Sequence, residues 1–462
     1  VRYFIESGIT NFVISPGSRN APLSIALNEA AQKGLIELHI KLDERGAAYF
    51  ALGISKASDK YVAVICTSGT AVANYLPAAL EAHHANNKLL LLTADRPARL
   101  RKTGANQTTN QVNIFNEIPT HDLSNFEPTP LIDGPIHINL QFDEPLLSDD
   151  KSDWLSGIHL RNSEPSAPNS IEKLRVSGNG VVLVGHDKGG FTPKEIETFS
   201  QGLVLISEDP ISFPTSIPGA SIFLADEKIR TYLKPDYVIV FGRTTLSRSI
   251  NSFIAQADSQ YVIDKKSHKV DPARSASKIF TSIPQLEIEN IAESYRRDFE
   301  VAAKNSELNL NWSESQVAKI FAEEIPDGSA VFIGSSRPIR DVEGFAAPRT
   351  GLNIFANRGL AGIDGNLSTI FGIAEKFKNT YALIGDLTFL HDLSALISAP
   401  KNSCKIFVVE NNGGGIFSTL PQAGVDGFEK IFGTPHNQSL SKIISGFGIN
   451  CELIKNESDL KR

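Results

Sequence analysis

Short apolar runs, each halted by a glycine or a polar turn and followed by a helical stretch, recur along the chain. In the first third, residues 12–14, 38–40, 61–66 and 89–92 read as strands, and residues 21–33 and 46–57 as helices between them. Thr67-Ser68-Gly69-Thr70-Ala71 opens a further helix. Strands that alternate with helices predict a parallel sheet, with polar residues gathered at the carboxyl ends of its strands. Residues 148–170 then turn to Ser, Asp, Asn and Pro, the composition of a linker.

The rhythm resumes with strands at 181–184, 237–240 and 261–263. Thr192-Pro193-Lys194-Glu195 forms a capping box with proline at the first helical position. Gly178, Gly180 and Gly185 straddle a strand instead of following one, which excludes a dinucleotide fingerprint. After a polar stretch at 304–311, Ser313-Glu314-Ser315-Gln316 supplies a second capping box. Strands follow at 330–334, 353–355, 381–384 and 406–409, with a helix at 391–397. The expected architecture is α/β, with three parallel-sheet domains at 1–150, 171–303 and 312–462.

Composition narrows the function. The 462 residues are 41% hydrophobic and 21% charged, with a formal net charge of −7, as in a soluble globular protein. No basic block suggests nucleic acid, and no apolar run or leader suggests a membrane, so a cytoplasmic location is expected. Cys66, Cys404 and Cys451 are too scattered for a disulfide frame or a zinc site, and the first two adjoin apolar strands, as buried thiols do. The chain has no methionine and opens at Val1, so residues of the natural protein are expected to be absent from it.

Candidate chemistry collects where the apolar runs stop. The run 381–384 ends at Gly385-Asp386, and the run 406–409 leads to Glu410-Asn411-Asn412-Gly413. As neighbouring parallel strands they would set Asp386 and Asn411 side by side at their carboxyl tips, where open α/β sheets bind ligands. A carboxylate, an amide oxygen and glycine-turn carbonyls make a hard, oxygen-only set suited to Mg²⁺ carrying a diphosphate. Taken singly, these residues are also ordinary turn chemistry. Glu44 stands where a strand gives way to a helix, as a helix N-terminal acid or as a proton-transfer group. Arg19, Arg96, Arg340 and Arg358 each follow an apolar run, and guanidinium forks in such number fit a ligand with several carboxylates. Gly104-Ala105-Asn106-Gln107 adds two amides. His83, His84 and His391 read as structural.

The Gly-Asp…Asn pattern resembles that of thiamine diphosphate enzymes, although Leu387-Thr388 departs from the usual small residue after Gly-Asp. A more specific resemblance comes from Ser-Pro-Gly-Ser-Arg-Asn-Ala-Pro-Leu, Asp-Glu-Arg-Gly-Ala, Thr-Ser-Gly-Thr-Ala-Val-Ala-Asn, Thr-Ala-Asp-Arg-Pro and Asn-Arg-Gly-Leu-Ala-Gly-Ile-Asp-Gly. This set is similar to the 2-succinyl-5-enolpyruvyl-6-hydroxy-3-cyclohexene-1-carboxylate synthases of menaquinone biosynthesis, the MenD family. The resemblance spans nearly the whole chain and is weakest over residues 150–310. The segment between Gln111 and Gly134 is shorter than the family's, and the family's last elements do not follow; missing residues would account for both.

The resemblance implies a pyrimidine-binding domain first, a central domain without cofactor and a diphosphate-binding domain last. It implies a transferase that decarboxylates 2-oxoglutarate and adds the resulting succinyl carbanion equivalent to isochorismate. The metal, Mg²⁺ or Mn²⁺, would be held by Asp386, Asn411 and the Gly413 carbonyl. Gly385 and Thr388 would lie near the diphosphate, Ile363 would prop the bent cofactor, and Glu44 would act at its aminopyrimidine ring. Ser18, Arg19, Arg96, Asn106, Gln107, Ser336, Arg340 and Arg358 would surround the substrates, with Arg248 a further candidate. Active sites would lie between subunits of a homodimer or tetramer. The alternatives are an acetolactate synthase or 2-oxo acid decarboxylase, or a non-catalytic binding protein on the same fold.

Overall fold

The computed structural model describes residues 1–148, 152–160, 172–266, 270–306, 308, 310–400 and 403–461. Most of the expected linker, 149–151 and 161–170, lies outside the described residues, as do two positions of the polar stretch 304–311.

Six strands come first: β1 (Asn11–Ile14), β2 (Glu37–Ile40), β3 (Val62–Cys66), β4 (Leu89–Asp95), β5 (Thr120–Leu123) and β6 (Ile136–Gln141). They form an all-parallel sheet in the order β2-β1-β3-β4-β6-β5. β1, β3 and β4 are buried along their whole length, so both faces are covered and the sequence shows continuous apolar runs there. β4 extends beyond the expected run to Asp95, and the expected helix at 46–57 begins earlier, at Glu44. β5 and β6 carry no apolar run and are new from the structure. His137 and Asn139 of β6 are fully buried polar residues, an alternation that masks the strand.

The chain continues through β7 (Lys173–Ser177), β8 (Gly180–Val184), β9 (Val204–Ser207), β10 (Tyr237–Phe241), β11 (Ser259–Ile263), β12 (Ala276–Phe280), β13 (Gln285–Glu289), β14 (Ala330–Ile333) and β15 (Asn353–Phe355). It ends its strands with β16 (Asn379–Gly385) and β17 (Ser403–Val409). β8 to β12 form a second parallel sheet in the order β12-β11-β10-β8-β9, β7 pairs with β13, and β14 pairs with β15, all parallel. Thr192 and Glu195 make the reciprocal capping box read from the sequence. Of the second box, the bond from Gln316 N–H to Ser313 Oγ is present.

Two compact units result. One holds Val1–Pro165, Asn357–Gly413 and Pro435–Cys451; the other holds Ser166–Ala356, Gly414–Thr434 and Glu452–Arg462. In the first, the Glu44–Ser58 helix packs against the Asn366–Ala374 helix, and both are buried along almost all of their packed length. β16 and β17 also belong to it, paired parallel with Gly385 opposite Val409. The helix expected at 391–397 instead begins at Asp386 and ends at Leu390, followed by a 3₁₀ segment at Leu393–Ser398. The helix therefore starts on the acidic residue itself, which suits the positive end of a helix dipole.

Candidate active site

The register of β16 with β17 places the residues after Gly385 and Val409 beside each other, where the Asp386 side chain reaches the backbone of 411–413. Asp386 is 2% exposed. Its Oδ1 accepts the Leu387 N–H (2.7 Å), and its Oδ2 accepts those of Asn411 (3.1 Å) and Gly413 (3.0 Å). Gly413 N–H is shared with Asn411 Oδ1 at 3.2 Å, so the two side-chain oxygens flank a single donor. Thr388 is buried in the first turn of the helix that follows. His436, which the sequence reading left aside, brings Nε2 to 3.3 Å from Asp386 Oδ2. Fifty residues separate that pair, and no local pattern announces it.

Glu44 begins its helix at the carboxyl end of the first sheet, capped by Asp43, whose Oδ1 accepts the Gly46 N–H at 3.3 Å. Ser394 Oγ donates to Asp43 Oδ2 (2.6 Å), and Arg45 Nη2 donates to the His391 carbonyl (2.7 Å). The start of this helix is thus tied to the segment that follows the Asp386 helix. Cys66 and Tyr75 lie close by, fully buried. Burial first, and the Glu44 charge last, disfavour the ionised form of both. Cys66 is accordingly an inert thiol, as expected; burial pushes the half-buried Cys404 up to about 12 as well.

Arg19 and Arg96 follow β1 and β4 on the same carboxyl edge. Arg19 Nη1 donates to the Phe142 carbonyl and pairs with Glu144, both at 3.1 Å. Its turn is closed by Asn20 Nδ2 donating to the Ser15 carbonyl (3.0 Å), and Ser18 is exposed beside it. Arg96 Nη1 donates to Ser68 Oγ and to the Gln107 carbonyl, both at 2.9 Å, which brings the Asn106-Gln107 loop against the arginine. Both amide side chains of that loop are exposed.

Beneath this edge lies a buried network that the sequence did not announce. Gln111, fully buried, accepts the Gly69 N–H at 2.9 Å and donates to the Ala94 carbonyl (3.2 Å) and Asn139 Oδ1 (2.9 Å). Asn139 donates to Asp95 (3.0 Å) and Asp122 (2.9 Å), both paired with Arg101. His137 adds contacts to Thr93 (2.7 Å) and Thr120 (3.1 Å), and burial pushes it down to about 3.

Arg358 and Ile363, both half-buried, sit in the 357–365 loop of the same unit. Ser336 and Arg340 belong to the other unit, where Arg340 Nη1 donates to the Ser336 carbonyl at 2.5 Å. Ser336 has φ 74°, uncommon for a residue with a side chain and a frequent mark of functional sites. Arg248, exposed at the first position of its helix, is also in that unit.

The cradle fits a diphosphate carried by a divalent metal. Its Asp386 and Asn411 oxygens gather around the Gly413 N–H and are ligands of the kind a divalent metal takes, with the His436 ring nitrogen beside them. A Cβ on Gly385 would meet nothing within 4 Å, so open space lies over the strand tip.

The family model described as "Thiamine pyrophosphate enzyme, N-terminal TPP binding domain" matches residues 1–114, and "Middle domain of thiamine pyrophosphate" matches 147–333. A 2-succinyl-5-enolpyruvyl-6-hydroxy-3-cyclohexene-1-carboxylate synthase of Nocardioides sp. is 37% identical, covering 95% of this chain and 86% of its own. The chain belongs to the MenD family. Synthases of the same name from Saccharopolyspora erythraea and Thermobifida fusca are 33% and 32% identical, each covering 98% of this chain and 90% of their own. A benzoylformate decarboxylase from Polynucleobacter necessarius shares the fold, with TM-score 0.67 at 12% identity over 99% of this chain and 93% of that one. This MenD-family chain is therefore a thiamine diphosphate enzyme with a parallel α/β fold. Among its described residues no helix is long and apolar enough to cross a membrane.

Proposed function

We propose that the chain decarboxylates 2-oxoglutarate and adds the succinyl carbanion equivalent to isochorismate, giving 2-succinyl-5-enolpyruvyl-6-hydroxy-3-cyclohexene-1-carboxylate for menaquinone biosynthesis. The observation that carries the reading is the Asp386–Asn411–Gly413 cradle at the paired tips of β16 and β17. The relatives' shared name adds to it.

Asp386, Asn411 Oδ1 and the Gly413 carbonyl would hold Mg²⁺ or Mn²⁺, with Gly385 and Thr388 beside the diphosphate and Ile363 against the rings. Bound there, thiamine diphosphate supplies a nucleophilic carbon and a sink for the electrons released on decarboxylation. Glu44 would hold a proton at the aminopyrimidine nitrogen. Each substrate carries two carboxyl groups, and Arg19, Arg96, Arg340 and Arg358 would bind them as charge-assisted forks, with Ser18, Asn106, Gln107 and Ser336 orienting the remaining oxygens. Arg248 is a further candidate.

The reading includes three domains (1–150, 171–303 and 312–462), a homodimer or tetramer with active sites between subunits, and a cytoplasmic location. Isochorismate consumption, followed by ultraviolet absorbance with thiamine diphosphate and Mg²⁺, tests it. Loss of isochorismate with 2-oxoglutarate, and none when pyruvate replaces it, is the expected result. No consumption with either acid, from protein shown to bind the cofactor, would overturn the reading.

A further inference from the structure

A buried carboxylate outside the set above grips the loop that carries two of its members. Glu81 lies in the Leu76–Ala85 helix, in an otherwise apolar and small-residue stretch, and is 2% exposed. Its Oε1 accepts the Gly359 N–H at 2.9 Å, and its Oε2 accepts the Leu360 N–H at 2.8 Å. Lys56 is its near cation, 3.6 Å from Oε1 and itself 9% exposed. That spacing is longer than a charge-assisted hydrogen bond, so the two backbone donors are the closest polar contacts of this carboxylate.

The loop has no regular structure from 356 to 365, and such segments do not hold a side chain still by themselves. It is fixed here from outside. Glu81 bonds the two peptides that flank Gly359, next to Arg358. A Cβ on Gly359 would lie 2.5 Å from the Glu81 carbonyl and 2.9 Å from Ala85 N, so the backbone passes directly over the helix. At the far end, Tyr49 Oη donates to Asp364 Oδ2 at 2.7 Å. Between these tethers stands Ile363; before the first stands Arg358.

We propose that Glu81 is a positioning residue for substrate binding, setting the backbone from which Arg358 and Ile363 project into the active site. The inference rests on the substrate and cofactor roles proposed above for those two residues. A purely structural account makes a different demand. Any side chain that filled the space and satisfied the charge balance would then serve, and its loss would lower stability without a particular effect on substrate affinity.

The test is a set of variants assayed with cofactor and both substrates. Glu81→Gln keeps the shape but turns an NH₂ donor toward an N–H donor, losing one bond of the clamp. Glu81→Asp keeps the charge and shortens the reach, and provides the measurement if the glutamine variant does not fold. Hydrogen exchange at the Gly359 and Leu360 amides should quicken in both. KM for one or both substrates should rise between about tenfold and a hundredfold, the scale of loss from a misplaced binding group, with a smaller change in kcat. In an Arg358→Ala background the further rise on changing Glu81 should shrink or vanish, because both changes act through one group. Unchanged KM in the Glu81 variants, with Arg358→Ala impaired, overturns the inference and leaves the Arg358 reading standing. Wild-type KM in Arg358→Ala overturns both. A Glu81 penalty that persists in full without Arg358 makes the residue structural.

Discussion

Gly53 and Gly372 face one another where the Glu44–Ser58 and Asn366–Ala374 helices cross, each lying on the other helix's backbone. A Cβ on Gly53 would overlap the Thr369 carbonyl, and one on Gly372 would overlap the Phe50 carbonyl. The crossing matters beyond packing, since one helix begins at Glu44 and the other follows the 357–365 loop. Gly53→Ala or Gly372→Ala should each lower stability by about 1–3 kcal/mol, the usual cost of overpacking, read as an earlier midpoint in urea. An unchanged midpoint for both would mean the helices part freely.

Glu44 is placed at the start of its helix by the Asp43 cap, so a single substitution can remove its proton without moving the backbone. Glu44→Gln should lower kcat by about 10²–10⁴-fold, the range for a general acid or base, while calorimetry still detects thiamine diphosphate binding. Full turnover would show that Glu44 does not exchange the proton.

Asp386 both accepts N–H donors and supplies the cradle's only carboxylate contact to them. Chelation with EDTA should abolish activity, and Mg²⁺ or Mn²⁺ should restore it in the wild type. Asp386→Ala should not recover at the same metal concentration. Equal recovery would place the metal elsewhere.

Two buried groups give opposing pH dependences. His137, pushed down to about 3 by burial, rejects a proton that the unfolded chain takes up near pH 6.5, so its contribution raises stability as pH climbs from about 3 to 6.5. Asp392 is raised to about 6, chiefly by burial and against the Ser368 hydrogen bonds that lower it. The folded state keeps that proton longer than the unfolded one does, so this contribution falls as pH climbs from about 4 to 6. Urea unfolding at pH 4.5, 5.5 and 7 should therefore show a shallower rise for His137→Gln and a steeper one for Asp392→Asn, relative to wild type. Parallel curves for all three proteins would refute the assignment.

Much of the site was legible because its residues punctuate local patterns. Apolar runs announced β1, β3 and β4, which are buried on both faces, and β16 and β17, which are only partly buried; the polar residues where the runs stop are Arg19, Ser68, Asp386 and Asn411. β6 escaped because His137 and Asn139 interrupt its apolar positions, and they are tolerated in the core only by partners from β4, β5 and the Gln111 turn. The 391–397 stretch reads as helical by composition, yet the helix spends its turns at 386–390, where the strand tip and Asp386 start it.

The sequence by itself therefore determined the alternation of strands and helices and the acidic, amide and guanidinium groups at the strand ends, which are patterns within a few residues, and the alternation in turn implied parallel sheets. Tertiary structure alone decided which of those groups meet. Glu81 reaches a loop 278 residues away, His436 reaches Asp386 across 50, and Gly53 and Gly372 let two distant helices touch. Such pairings depend on how whole layers stack, and a local pattern of apolar and polar positions carries no record of that.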